Sequence, residues 1–213
     1  MNKLFITFEG IEGCGKTTQI ERLAKRLSGC GISPITTLEP GGTRIGKNIR
    51  RILLDAENTH LTPLAELILY AADRAQHVEE VIKPALGQGK WVICDRFFDA
   101  TVVYQGVARK QDMKLIRILN ERVTGGIRPN ITFLLDCPVD VGLGRAISRD
   151  KALPEKGQDR FEKEKVDFHM EVRRGYLELA RRNHERFVII DSTQAKAEVE
   201  EEIFRHIEPF LDT

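Results

Sequence analysis

The segment Gly10 to Thr17 limits the fold and chemistry of this chain more than any other. It has the sequence G-I-E-G-C-G-K-T, which fits the pattern G-x-x-x-x-G-K-[ST], and it directly follows the apolar run Leu4–Phe8. In this pattern a strand enters the loop, a helix leaves it, and the backbone N–H groups of the loop surround a polyphosphate. The helical pattern from Thr18 to Ser28 supplies the second half of that context. The segment therefore predicts a binding site for a nucleoside triphosphate.

The residues of this loop have different expected tasks. Lys16 places a positive charge near the β- and γ-phosphates, so we predict a catalytic role for it, and Thr17 offers a hydroxyl to Mg²⁺. The alternative is a glycine-rich turn that only caps a helix. The predicted phosphate-binding residues are Gly10, Ile11, Glu12, Gly13, Cys14, Gly15, Lys16, Thr17 and Thr18.

Composition favours one soluble domain with small-molecule partners. The chain has 213 residues with 41% hydrophobic content, which is enough for one core, so we predict a single domain over residues 1–213. Thirty-three basic residues against 32 acidic ones do not indicate a nucleic-acid partner. The N-terminus has no signal layout, and no apolar run approaches the ~18 residues that a membrane span needs, so we predict no membrane partner.

The cysteines and histidines do not form recognisable sites. The four cysteines are widely spaced without a C-x-x-C pair, which favours reduced thiols and a cytoplasmic location. Cys14 lies beside Lys16 at a helix N-terminus, where a thiol pKa can fall, although a small residue in a loop explains it equally. The five histidines lack metal-ligand spacing, so no protein-held transition metal is predicted.

Five short apolar runs indicate an α/β fold with a five-stranded parallel sheet. Long segments with helical periodicity separate the runs, as in successive β-α-β units. Each run closes on an acidic residue, and ligands of such sheets bind beyond the carboxyl ends of the strands. The predicted strands are Leu4–Phe8, Ile32–Leu38, Trp91–Cys94, Ile131–Leu135 and Phe187–Ile190, and the acidic residues after them are, in the same order, Glu9, Glu39, Asp95, Asp136 and Asp191.

The predicted helices cover most of the remaining chain. One polar, turn-rich segment, Asp150–Asp159, interrupts them and predicts a lid over about residues 145–160. Arg145 and Arg149 lie at its entry and Arg160 at its exit, although an ordinary surface loop is the alternative. The helices are expected at about 16–29, 44–55, 62–86, 99–108, 112–124, 139–149, 161–183 and 195–211.

Two more groups of polar residues follow predicted strands. Glu39–Thr43 has the sequence E-P-G-G-T and precedes a helix that carries Arg50. Arg50 can bind a phosphate, and the alternative is that it is a surface cation. Asp95 and Arg96 follow the third strand, where phosphate-loop proteins place an acidic group near Mg²⁺. We predict that Asp95 holds the metal through water and that Arg96 neutralises transferring charge. The alternatives are an Asp–Arg pair that caps the strand and Asp136 as the acidic group.

These blocks together carry a family resemblance. From end to end the chain resembles thymidylate kinases, and the resemblance implies a P-loop NTPase fold of the adenylate-kinase type, with three α/β/α layers and a short lid. It also implies phosphoryl transfer from Mg·ATP to dTMP, giving ADP and dTDP, in a homodimer. The blocks are Gly10–Thr17, Glu39–Thr43, Tyr70–Arg74, Asp95–Phe97, Tyr104–Gly106 and Asp159–Glu162.

The resemblance also assigns roles at the dTMP site. It implies that Arg74 hydrogen-bonds the thymine O4, Gln105 addresses the pyrimidine edge and Tyr70 stacks on the base. Tyr104 would crowd the 2′ position of the sugar, with Glu12 near the 3′-hydroxyl. The alternative for Tyr70 and Tyr104 is that they are aromatic residues of the core. The alternative for Arg74 is an ion pair on the helix surface. The full implied set is Glu12, Glu39, Pro40, Arg50, Tyr70, Arg74, Arg96, Thr101, Tyr104 and Gln105, with Arg50 and Arg96 on the monophosphate.

The loop differs from some relatives at one position. Some thymidylate kinases carry a basic residue in the phosphate loop, whereas this chain has Gly13 there. In members with such a loop the lid supplies an arginine. We therefore predict that Arg149 serves the transferring phosphoryl group and that Arg145, four residues earlier on the same helical face, lies nearer the ATP base or phosphates.

Two rival functions remain open at this point. The first is a kinase for another acceptor, such as dUMP, dCMP or thymidine, because one methyl group contributes only about 1–3 kcal/mol in a pocket. The second is a GTP-driven binding switch. That class needs a guanine-reading N-K-x-D segment and a D-x-x-G turn after a strand, and the sequence has neither.

Overall fold

The computed structural model describes residues 3–152, 160–161 and 164–211, with no side-chain description for residues 149–152. Within these residues lies a five-stranded, all-parallel sheet with the order β2-β3-β1-β4-β5. This arrangement confirms the predicted α/β class and the five strands. The strands are β1 Phe5–Glu9, β2 Ile35–Leu38, β3 Val92–Asp95, β4 Ile131–Asp136 and β5 Phe187–Asp191.

The helices follow the predicted order, with two π-helical segments that the sequence did not reveal. The expected helix at 62–86 is α3 and α4 joined by the π-helical segment Val78–Ile82, and the expected helix at 99–108 is α5 followed by Val102–Ala108. The helices are α1 Lys16–Gly29, α2 Arg44–Leu54, α3 Pro63–His77, α4 Lys83–Gly87, α5 Phe98–Thr101, α6 Met113–Thr124, α7 Val139–Ala152, α8 Val166–Arg182 and α9 Lys196–Ile207.

Four predicted boundaries were wrong by more than two residues. The last helix, α9, ends at Ile207 instead of 211, because a 3₁₀ turn over Glu208–Phe210 follows it. Strand β2 begins at Ile35 instead of Ile32, because Pro34 has no N–H for the ladder, and the Ile35 N–H is the one that reaches Trp91 O at 2.8 Å. Helix α7 continues to Ala152, so the first half of the predicted lid is helical. Helix α8 begins at Val166, since the preceding turn places Phe161 among buried aromatic rings. Residues 153–159 of the lid lie outside the described residues.

Two apolar cores cover the two faces of the sheet. Side chains of β1 alternate between them: Ile6 and Phe8 belong to the larger core with α1, α8 and α9, and Phe5 belongs to the smaller one with Val78 and Ile82. This alternation follows from the period of two in a strand that is buried on both faces. No helix in the described parts of the chain combines the length and apolar character that crossing a bilayer needs.

A backbone-to-backbone contact joins the phosphate loop to α7. A Cβ atom on Gly13 would lie 2.0 Å from the carbonyl oxygen of Gly142, and one on Gly142 would lie 2.6 Å from that of Glu12. Gly13 also has a φ of 68°, a left-handed value that favours glycine. The close approach excludes any side chain at position 13.

We predict that Gly142→Ala destabilises the protein by about 1–3 kcal/mol, because the new methyl group meets backbone atoms that cannot move aside cheaply. Equilibrium unfolding in urea measures this change. Gly144→Ala is the matched control on the same helix. A Cβ there meets nothing within 4 Å, so the higher helix propensity of alanine should stabilise the protein by up to about 1 kcal/mol. Equal effects of the two substitutions would contradict the contact.

Candidate active site

The phosphate loop lies between β1 and α1, with its lysine folded over it. Gly15 adopts a φ of 97° directly before the helix. The Lys16 ammonium donates hydrogen bonds to the carbonyl oxygens of Gly10 at 3.2 Å and Ile11 at 3.0 Å, and it lies 3.5 Å from the Cys14 sulfur. Cys14 is a buried free thiol. The loop therefore presents its cation and the N-terminus of α1 to one concave surface, which suits a polyphosphate.

The two predicted metal residues lie next to each other. Strands β1 and β3 are neighbours, with Phe8 paired to Asp95. This register brings the Thr17 hydroxyl to 3.3 Å from Asp95 Oδ2, so that it donates a hydrogen bond to the carboxylate. Thr17 is exposed and Thr18 is half-buried. A hydroxyl and a carboxylate are the hard oxygen donors that Mg²⁺ prefers, so the pair fits that ion.

The alternative acidic residue is already engaged. Asp136 accepts two hydrogen bonds from the guanidinium of Arg173, at 2.7 and 2.8 Å. This bidentate ion pair joins the end of β4 to α8. The geometry favours Asp95 over Asp136 as the acidic group beside the phosphate loop.

Arg96 lies in the middle of a buried polar cluster. Its guanidinium donates hydrogen bonds to Glu12 Oε1 and to the Tyr176 hydroxyl, both at 3.1 Å. It also lies over the ring of Tyr104, 4.9 Å from the centroid. The backbone of Arg96 has a φ of 66°, a left-handed value that is uncommon for a residue with a side chain. The strand end thus directs this cation toward the loop instead of into solvent, so the arginine is more than a strand cap.

Glu12 is held as a carboxylate at this cluster. Burial opposes its charge, but His169, Arg96 and the Tyr104 hydroxyl together lower the pKa of Glu12 to about 2. The Tyr104 hydroxyl donates a 2.6 Å hydrogen bond to Glu12 Oε1, and His169 Nδ1 lies 3.3 Å from Glu12 Oε2. That last pair lacks the alignment of a hydrogen bond. The site therefore offers a fixed acceptor group beside Arg96.

Glu9 has the opposite electrostatic behaviour at the end of β1. Burial, reinforced by the negative charge of Asp99, raises the pKa of Glu9 to about 7. Its oxygens accept hydrogen bonds from the Phe97 N–H at 2.8 Å and from the Tyr176 hydroxyl at 2.7 Å. Glu9 thereby positions the backbone after Arg96 and the tyrosine that contacts Arg96.

Arg74 is almost entirely occupied by the protein itself. Its guanidinium donates to Glu39 at 2.8 Å and to Thr101, Asn120 and the carbonyl of Phe97 at 3.1 Å each. The residue is only 1% exposed. Four of its five N–H groups have partners, which leaves one Nη2 hydrogen for a ligand. Arg74 therefore forms an ion pair with Glu39, as the alternative predicted, but the pair is buried and not on the surface. The remaining N–H group still allows one contact to a base.

The E-P-G-G-T segment is anchored to α2 and α3. Arg50 donates to the carbonyl oxygen of Pro40 at 2.8 Å, after a cis Glu39–Pro40 peptide bond. The Gly41 N–H donates to Asp73 at 3.0 Å. Burial and the charge of Glu39 raise the pKa of Asp73 to about 6. Arg50 is half-buried beside this turn, where a cation can meet a phosphate.

The predicted base-reading side chains lie together on α3 and the second π-helical segment. Gln105 donates from Nε2 to Glu66 at 2.9 Å, and Tyr70 is half-buried against the larger core. Tyr104 packs edge-on against Phe161 and Phe168, with centroids 5.5 and 6.1 Å apart. The rings are part of the core, as the plain alternative held, while the Tyr104 hydroxyl reaches Glu12 in the site.

The lid arginines lie in different places. Arg145 is exposed and donates to the carbonyl oxygen of Ser192 at 3.0 Å, in the connection between β5 and α9. Arg160 contacts Glu66, which lies on α3. Glu66, Arg109 and Arg160 also line a cavity of about 400 Å³. The side chain of Arg149 lies outside the described residues.

The comparisons with known proteins agree with each other. The family model "Thymidylate kinase" matches residues 8–203. The chain is 55% identical to the thymidylate kinases of Geotalea uraniireducens and Desulfosudis oleivorans, over 92% of this chain and 92% of each relative. It resembles the crystal structure of thymidylate kinase from Ehrlichia chaffeensis with a TM-score of 0.77 and 34% identity, over 97% of this chain and 99% of that one.

The chain belongs to the thymidylate kinase family. This assignment confirms the prediction made from the sequence blocks, and it confirms the class of nucleoside monophosphate kinases and transferases. The alternative of a GTP-driven switch is wrong. The family match includes the phosphate loop, four of the five strands in full and α8, so the family assignment applies to nearly the whole chain.

Four residues near the thymidylate kinase motifs were not selected from the sequence. Tyr176 and His169 lie on α8, seven residues apart on one helical face, and this spacing was the only signal for them. Glu9 was noted only as the acidic end of a strand, and Glu66 not at all. All four are buried polar residues, which the sequence pattern of their elements does not distinguish from exposed ones.

We predict that Glu9 makes the stability of this protein fall as pH rises. A glutamate in the unfolded chain loses its proton near pH 4.5, whereas folded Glu9 keeps it up to about pH 7. The folded state therefore binds more protons between these values, and stability decreases across the window. Replacement of Glu9 by glutamine removes this titrating carboxyl group. The free energy of unfolding of Glu9→Gln relative to wild type should increase by about 3 kcal/mol from pH 4.5 to pH 8.

Urea unfolding of both proteins at several pH values tests this prediction. Asp73, whose pKa is raised in the same direction, titrates in both proteins and cancels in the difference. Parallel stability curves for wild type and Glu9→Gln across pH 4.5–8 would show that the pKa of Glu9 is not raised.

Proposed function

We propose that this chain transfers a phosphoryl group from Mg·ATP to dTMP, giving ADP and dTDP for dTTP synthesis. The observation that carries the proposal is the contact between Thr17 and Asp95, which places the phosphate loop beside Arg96 and the acceptor-side cluster. Family membership supports dTMP as the acceptor.

The donor half of the site consists of amides, one cation and oxygen ligands. The loop residues Gly10 to Thr18 hold the triphosphate, and Lys16 exchanges its loop carbonyls for the β- and γ-phosphates. Thr17 and Asp95 hold Mg²⁺, in part through water, and this ion supplies charge neutralisation when it is bound. The hydroxyl and carboxylate at 3.3 Å support this assignment.

The acceptor half needs cations and no strong base. The attacking oxygen of dTMP is already anionic, so the protein has to align it and offset charge on the transferring group. Arg96 and Arg50 hold the monophosphate. Glu12 accepts from the 3′-hydroxyl, and Tyr104 occupies the space of a 2′-hydroxyl; the fixed carboxylate of Glu12 and its 2.6 Å bond to Tyr104 support both roles.

The base is held by side chains of α3 and the neighbouring π-helical segment. Tyr70 stacks on the pyrimidine, the free N–H of Arg74 donates to O4, and Gln105 meets the N3 edge. The same pocket includes Glu39 and Pro40, which the E-P-G-G-T turn supplies, and Thr101, whose hydroxyl accepts from Arg74 at 3.1 Å.

The lid supplies the arginine that the phosphate loop lacks. The contact of Gly13 with α7 leaves no room for a basic side chain at position 13. Arg149 lies one turn after Arg145 on α7, so it is our candidate for the transferring phosphoryl group, with Arg145 nearer the ATP base or phosphates. Lid closure over residues 145–160 also excludes water, so ATP hydrolysis without dTMP should be slow.

A homodimer is the assembly that the surface supports. Helix α3 contacts both α2 and α6. On α3, Leu64, Ile68 and Ala72 recur every four residues and are all exposed. Each of the other two helices also exposes large apolar side chains, and a second copy of the chain would cover such a surface. These are Ile45, Ile52, Met113 and Ile118.

We place the protein in the cytoplasm. Its four cysteines are all free thiols, and three of them are buried in a fold without disulfides among the described residues. A reducing compartment matches this state.

The purified protein should convert dTMP with Mg·ATP far faster than dCMP or thymidine, with dUMP as an intermediate substrate because it lacks only the methyl group. A coupled assay for ADP across the four acceptors measures this. If another acceptor were consumed and dTMP left unchanged, the proposed substrate would be wrong while a kinase activity would remain.

Arg149→Ala should lower kcat on the order of 10³-fold with little change in the KM for dTMP, as expected for an arginine that acts on the transition state. Arg181→Ala, an exposed arginine on α8, is the control and should keep wild-type kcat. An unchanged kcat for Arg149→Ala would transfer the catalytic role to Arg145 or Arg160.

A further inference from the structure

A buried carboxylate determines which way the Gln105 amide points. The side chain of Glu66 is 2% exposed, and its Oε1 accepts a 2.9 Å hydrogen bond from Gln105 Nε2. An ionised carboxylate has only acceptor atoms, so the amide must turn its NH₂ group toward Glu66. The hydrogen bond to Glu66 therefore fixes which end of the Gln105 amide is the NH₂ group and which is the carbonyl oxygen.

Two guanidinium groups hold the Glu66 carboxylate in place. Arg109 Nε lies 3.4 Å from Glu66 Oε1, and Arg160 Nη2 donates to Glu66 Oε2. Arg109 is held in turn by Glu164, which accepts from its Nη2 at 2.6 Å. A buried carboxylate that contacts two guanidinium groups has little freedom to rotate, which makes it a firm support for the amide.

We propose that Glu66 is a specificity-determining positioning residue, which fixes the Gln105 amide so that its carbonyl oxygen is the group offered to the base of the acceptor nucleotide. None of the described residues donates a hydrogen bond to Gln105 Oε1, so this oxygen is free for a ligand. The proposal rests on the proposed function, in which Gln105 meets the N3 edge of the pyrimidine.

The fixed carbonyl oxygen suits thymine and opposes cytosine. Thymine has an N3–H donor and an O4 acceptor, which match the Gln105 oxygen and the remaining N–H of Arg74. Cytosine reverses both positions, with an acceptor at N3 and an amino group at C4. An acceptor against an acceptor leaves two polar groups unpaired in a buried site, and such mismatches lower binding strongly.

A reversed amide would remove half of this discrimination. With its NH₂ group toward the base, Gln105 would donate to cytosine N3. Arg74 would still oppose the cytosine amino group, because a guanidinium can only donate. Loss of the Glu66 carboxylate should therefore weaken selectivity against dCMP without abolishing it.

Glu66→Gln tests the proposal, because glutamine has nearly the same shape and can accept from or donate to the Gln105 amide. The ratio of kcat/KM for dTMP over dCMP should fall at least about 10-fold, which corresponds to about 1.4 kcal/mol. The ratio of dTMP over dUMP should stay within about 2-fold, since uracil presents the same N3–H and O4 groups. A substitution that only loosens the fold would not separate these two ratios.

Glu164→Gln is the matched control. It removes the carboxylate that holds Arg109 but leaves the Glu66–Gln105 hydrogen bond, so both ratios should remain at wild-type values. If Glu66→Gln fails to fold, Glu66→Asp keeps the charge but withdraws the acceptor by about 1.5 Å, and it should lower the dTMP over dCMP ratio in the same way.

Calorimetric binding of dTMP and dCMP to the same variants separates failure of this proposal from failure of the proposed function. A wild-type protein that neither binds nor converts dTMP would overturn the function. A wild-type protein that selects dTMP, with a Glu66→Gln or Glu66→Asp variant that selects it equally, would overturn the role of Glu66 alone.

Discussion

The balance of buried charge at the carboxyl edge of the sheet is the constraint on which the rest of this structure depends. Strand β1 ends in Glu9 and leads to Glu12, while β3 leads to Arg96, and the parallel pairing of β1 with β3 brings the three side chains together. None of these three side chains could be buried there as an isolated charge, because an unpaired charge in a dry site carries a large desolvation penalty. Tyr104 and Tyr176 complete the network with their hydroxyls. The result is a carboxylate with a low pKa and another with a raised pKa, separated by one arginine.

The proposed acceptor pocket also pairs buried carboxylates with arginines, using different residues. Glu39 holds Arg74 and His77, and Glu66 holds Gln105 together with two arginines. In each case a carboxylate that does not have to touch the nucleotide determines what its neighbour presents: one free N–H in Arg74 and one carbonyl oxygen in Gln105. In the proposed function, selectivity for a pyrimidine comes from these donors and acceptors, which are immobilised before any ligand arrives, and this reduces the cost of ordering them on binding.

Sequence patterns were strongest where the chemistry is local. The phosphate loop, the acidic strand ends and the E-P-G-G-T turn are each short segments whose function depends on neighbours along the chain, and they led to the correct family. The patterns were weaker where contacts cross the fold. Tyr176 meets Glu9 across 167 positions and Arg160 meets Glu66 across 94, and no periodicity within one helix reports such a pairing. The π-helical segments were missed for a related reason, since their extra residue is accommodated by packing and not by a distinct composition.

By itself the sequence determined the α/β class, the position of the phosphate loop and the types of side chain available to the nucleotides, because these depend on local propensity and on hydrophobic period. Only the tertiary structure decided how those side chains are used. It engaged four of the five N–H groups of Arg74, turned the Gln105 amide with Glu66, and placed α7 so close to Gly13 that no side chain fits at position 13. The reason is physical: hydrogen-bond orientation, pKa and close packing are set by atoms distant in the chain, which become neighbours only when the sheet and its helices have assembled.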